Sequence, residues 1–156
     1  MTGYEDRIKA LIDLDESQSL ILLGARLQGF ESFEAGLGIS KGDMKNLLVE
    51  TSEQLSNRQA LAIVSGPFRN AYDHMISFSN KCLQEASDFM DQRRQELFDL
   101  ICIKFDYCAK SKKYSSQIEL LAALAVFLES FWKEAPVIEI VVAMAKSGLD
   151  SFCMCS

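Results

Sequence analysis

Ser116-Gln117-Ile118-Glu119-Leu120-Leu121-Ala122-Ala123-Leu124-Ala125-Val126-Phe127-Leu128 is the stretch whose reading decides the fold. A serine three residues ahead of a glutamate is a capping box, in which each side chain serves a backbone N–H that a helix start leaves unpaired. Behind it the run is strongly apolar, from Ile118 through Leu120, Leu121, Leu124, Phe127 and Leu128 to Phe131 and Trp132, so an apolar helix is expected. Glu134-Ala135-Pro136 closes that helix. Pro136 then opens another from Val137 to Lys146, and Gly148 supplies a C-terminal stop. Two apolar helices joined by a tight turn make a hairpin, and each falls short of the ~20 residues that span a bilayer. The hairpin therefore reads as the core of a bundle or as a face of a dimer. A membrane-inserting hairpin is the lesser alternative.

The rest of the chain carries the same period. Tyr4, Ile8, Leu11 and Ile12 predict a first helix within Met1 to Leu14. Asp15 is a candidate cap for a second, with Leu20, Leu23, Leu27 and Phe30 as its stripe and Gly24 allowing a neighbouring helix to come close. From Gly29 to Lys41 scattered glycines and aromatics predict the longest loop. Ser40 or Asp43 would start a third helix with Met44, Leu47, Leu48 and Leu55, and Asn57 a short fourth, which Ser65-Gly66-Pro67 interrupts. Beyond Pro67 the stripe runs Phe68, Tyr72, Met75, Ser79, Cys82, Ala86 and Phe89, and helical pattern resumes to Cys108. One helix from Pro67 to Lys110 would be about 65 Å long, so a break is expected, first in Asp91 to Glu96 and second at Ser79-Asn80.

With 156 residues, 49% hydrophobic and 24% charged, the chain has an ordinary globular balance, and no repeat or linker marks a boundary. Two prolines and eight glycines among these residues, without strict alternation, point to helices rather than strands. The expectation is an all-α bundle of about six or seven helices, a single domain over residues 1–156.

Chemistry is legible in one place, Gly66-Pro67-Phe68-Arg69-Asn70-Ala71-Tyr72-Asp73-His74, which contains the only histidine. Pro67 suits the first position of a helix. Arg69 and Asn70 then fall in the first turn, where unpaired N–H groups and the helix dipole favour an anion. His74 lies one turn on, with an imidazole suited to proton transfer near neutral pH.

Arg69-Asn70-Ala71-Tyr72-Asp73-His74 fits R-[N/H/D]-x-x-x-H and resembles the signature of the HEPN superfamily, all-helical domains many of which are metal-independent ribonucleases of toxin-antitoxin and defence systems. The resemblance covers these six residues. It implies a homodimer whose cleft joins the Arg and His of two protomers, with RNA rather than DNA as substrate. His74 would move the proton of a ribose 2′-hydroxyl or leaving oxygen, Arg69 would neutralise the transition state and Asn70 would orient one of them. No metal or cofactor is implied. The same residues also fit a plain surface reading, in which Arg69 and Asp73 pair at i and i+4 and His74 is half-buried. A non-enzymatic interaction module, using its apolar stripes to pair with another protein or itself, is the alternative function.

A formal charge of −6 and a pI near 4.8 weigh against broad nucleic-acid binding, leaving only local cations such as Arg58, Arg69, Arg93, Arg94 and Lys110, Lys112 and Lys113. Five cysteines without a secretory signal read as thiols of a reducing cytoplasm, with no zinc-ligand spacing. The final Cys153-Met154-Cys155-Ser156 matches a prenylation box in form, but no basic segment precedes it. Phosphate-binding and dinucleotide loops are absent.

Overall fold

A computed structural model describes residues 2–37 and 67–155. The fold is all-α. Helices α1 (Thr2–Leu11), α2 (Glu16–Leu27) and α3 (Phe33–Leu37) are followed by the long α4 (Pro67–Gln92). Then come α5 (Arg94–Leu97), a π-helical segment (Phe98–Lys104), α6 (Tyr107–Lys110), α7 (Gln117–Glu129), α8 (Val137–Ser147) and α9 (Leu149–Phe152). The helices expected from Ser40 or Asp43 and from Asn57 lie outside the described residues.

Local chemistry sets the helix starts. Asp15 closes a reciprocal cap on α2, its carboxylate accepting from Gln18 N at 2.7 Å while Gln18 Oε1 accepts from Asp15 N at 3.0 Å. On α7, Ser116 Oγ accepts from Glu119 N at 3.2 Å, but the Glu119 carboxylate turns to Ser115 Oγ, so half of the expected box forms. Gly148 ends α8 with φ 104°, a conformation that glycine adopts without a Cβ penalty, and turns the chain into α9.

The hairpin α7–α8 is the core. Leu121, Leu124, Leu128, Ile140, Val141 and Val142 are sealed from solvent, and α1 and α2 pack across it. Each such side chain contributes roughly 1.5–3 kcal/mol of burial. A second cluster joins α2 to α4 through Ala25, Met75, Phe78 and Cys82. There Gly24 allows the backbones to touch, since a Cβ on it would overlap the Cys82 carbonyl oxygen.

Several expectations are corrected. The Gly29–Lys41 stretch is not loop throughout: Phe33–Leu37 is helical, with Ser32 Oγ accepting from Ala35 N at 3.1 Å. Phe33 stacks on Phe78 and Phe30 meets it edge-on, which ties this turn to α4. On α4 the buried position is Phe78 rather than Ser79, whose hydroxyl donates to Met75 O at 2.8 Å. The long helix does break where first expected, at Arg93 inside the polar run, with φ −102° and ψ 8°, and it breaks a second time not at Ser79-Asn80 but at Asp106, with φ 59°.

The cysteines depart most from expectation. Cys102 bonds Cys153 with Cα atoms 5.2 Å apart, Cys108 bonds Cys155 at 5.4 Å, and only Cys82 is free. On one regular helix Cys102 and Cys108 would face different sides. The π-helical segment and the left-handed Asp106 between them reset the rotation, and both face the segment that Gly148 turns back. The Cys153 sulfur is therefore occupied, which leaves the prenylation box without a thiol.

Candidate functional site

Helix α4 begins at Pro67 as its fixed φ suggests, so Arg69 and Asn70 are in its first turn. Their side chains lie outside the described residues. His74 is exposed, one turn further on. Five residues correspond to about 140° around an ideal helix, so the positions of Arg69 and His74 fall on different faces of α4. His74 does not line any of the cavities described below.

A built cluster occupies the hairpin turn. Trp132 Nε1 donates to Glu96 Oε1 at 2.7 Å, and Arg93 Nη1 donates to Glu96 Oε2 at 2.9 Å. These two bonds, that of Arg93 first, hold the Glu96 carboxyl below the usual range. The Arg93 guanidinium lies 6.0 Å from the centres of both Phe89 and Trp132. Lys104 Nζ sits 5.2 Å over Phe131, which is 47% exposed, and neighbouring Ile103 is 61% exposed. A cavity of about 630 Å³ opens here among Arg93, Glu96, Asp99, Lys104, Phe131 and Trp132. The turn thus offers an aromatic centre flanked by two cations and two carboxylates.

A second cluster was not foreseen. Glu139 sits in α8 with its side chain 5% exposed. Its Oε1 accepts from Arg7 Nη2 at 3.0 Å and lies 3.5 Å from Arg26 Nε, while Oε2 has no hydrogen-bond partner among the described residues. An unserved buried carboxylate oxygen costs about 1–3 kcal/mol or more, so this arrangement requires a reason. Glu139 lines the floor of a cavity of about 580 Å³ between α1, α2 and α3, whose walls include Leu11, Leu14, Ile21, Leu22 and Phe33. The sequence held one signal: Glu139 is the sole charge in the apolar run from Val137 to Ala145.

Among the described residues, no group of three or more His, Cys, Asp or Glu side chains is placed to hold a metal ion, and no helix is long and apolar enough to cross a membrane. No family model, no curated protein and no solved structure matches the chain.

Proposed function

We propose that this chain is a non-enzymatic helical interaction module that pairs with a second copy of itself through the turn of its C-terminal hairpin. The observation that carries the reading is the exposed Phe131 beside the half-buried Trp132, with both signs of charge around them. A two-fold interface brings a patch against itself, so a surface balanced between cations and carboxylates can meet its own copy without repulsion. Phe, Trp and Arg are also the side chains enriched at the centres of interfaces. The greasy faces of the hairpin are spent inside the bundle, whereas Phe131 at its turn stays exposed to a partner. Sedimentation of wild type and Phe131→Glu tests this. Wild type is expected to dimerise, and the variant to lose at least about 2 kcal/mol of association, roughly thirtyfold in Kd. Equal association by both overturns the reading.

A metal-independent endoribonuclease of the HEPN type is the second reading, favoured by one observation: His74 is exposed on α4, one turn past the position of Arg69. Its test is cleavage of mixed RNA in EDTA. Loss of 2′,3′-cyclic products in Arg69→Ala and His74→Ala, with the fold intact, would establish it, and intact RNA with wild type would remove it. The two disulfides bear on compartment. Such bonds persist in oxidising surroundings, so we place the folded chain there rather than in the reducing cytoplasm suggested by cysteine number alone.

A further inference from the structure

We propose that the groove over Glu139 is a binding site for a small molecule carrying a primary ammonium group on a hydrocarbon body. The inference stands apart from the hairpin-turn interface and rests on three observations. The cavity, about 580 Å³, has the size of small-molecule sites and is walled mainly by Leu11, Leu14, Ile21, Leu22 and Phe33. Its buried polar group is a carboxylate, 5% exposed, with Oε2 unpartnered. The charged side chains lining it are Glu31 and Glu139 against Arg7, two negative to one positive.

These features select the ligand's chemistry. An unpartnered carboxylate oxygen calls for an N–H or O–H donor, and a charged donor makes the stronger bond. An ammonium has three N–H groups, enough to serve Oε2 and to share Oε1 with Arg26. A carboxylate ligand would face two like charges and leave Oε2 unserved. A hydroxyl would serve Oε2 without the charge. The hydrocarbon body fits the leucine and phenylalanine walls, whose burial adds affinity that a bare ammonium ion lacks.

Entry is governed by Arg7. Oε2 is closed to solvent, and of the two arginines on Glu139 only Arg7 lines the groove, with its side chain 55% exposed against 30% for Arg26. An incoming ammonium takes the place of the Arg7 guanidinium, which swings into water, while Arg26 stays on Oε1. Arg7 is thus a competitor for the site, and its removal is expected to tighten binding.

Calorimetry with n-octylammonium, octan-1-ol and octanoate as probes tests the proposal on the full chain, with thermal melts to verify folding. Wild type should bind one n-octylammonium per chain, with octan-1-ol and octanoate at least about tenfold weaker, and Glu139→Gln should cost about tenfold. Arg7→Gln takes one partner from the buried Glu139 but leaves Arg26 beside it, and, once its melt shows it folded, should bind n-octylammonium more tightly than wild type. Octanoate binding as well as n-octylammonium, weaker binding by Arg7→Gln, unchanged binding by Glu139→Gln, or no binding of n-octylammonium at millimolar concentration would each overturn it. The Arg7→Gln comparison keeps the test decisive if Glu139→Gln does not fold.

Discussion

At the scale of single residues, Gly24 and Tyr107 make sharp claims. A methyl on Gly24 meets the Cys82 carbonyl, and backbone cannot yield as a side-chain tip does. Gly24→Ala should cost about 1–3 kcal/mol or more by overpacking, although alanine is the better helix former. A urea titration giving equal stability would show that α2 and α4 do not touch there. Tyr107 is buried and its hydroxyl is pushed up to about 12, first by burial and then by the nearby Asp150 carboxylate, to which it donates. Because the folded value lies above the ordinary 10.0, Tyr107 contributes stability that is whole below about pH 10 and drains away as pH rises toward about 12. Spectroscopic titration should show a late phenol that is absent from Tyr107→Phe. Gly24 was legible in the sequence as a small residue on an apolar face. Glu139 escaped because its meaning depends on Arg7 and Arg26, which no local spacing joins to it.

At the scale of elements, periodicity and caps made α1, α2, α7 and α8 readable, since a helix start and its apolar face are encoded within a few residues. The break in the long helix was readable too, as a length no compact bundle accommodates. What was not readable depends on partners distant in the chain. Phe33–Leu37 is held by rings stacked on Phe78, and the cysteine pairs, 51 and 47 residues apart, depend on two irregular turns. Each cross-link closes a long loop in the unfolded chain and contributes about 2–4 kcal/mol, with the two not additive because they join the same segments. Cys102→Ser with Cys153→Ser should therefore lower the thermal midpoint clearly. Thiol titration of native, unreduced protein should find none reactive, because burial raises the Cys82 thiol and shields it, and denaturation should reveal one. Five reactive thiols without reductant would remove the staples.

At the scale of the whole molecule, the acidic charge of −6 and an apolar core spent inside one chain leave a few surface features to carry function. The Arg69 to His74 motif was the plainest sequence signal, and the structure adds to it an exposed His74 without describing the other two side chains. The hairpin turn was the opposite case. Phe131 and Trp132 read as two more members of an apolar stripe, and only the end of α7 turns Phe131 outward beside Lys104. Self-pairing through this turn makes a demand on charge. Lys104→Glu leaves the patch with excess negative charge and Asp99→Lys with excess positive charge, so each repels its own copy and attracts the other. Light scattering of the two variants, separately and mixed, is the most direct measurement. The account predicts monomers for each alone and dimers in the mixture, beside a dimeric wild type. A monomeric wild type, or variants that stay dimeric alone, would contradict it.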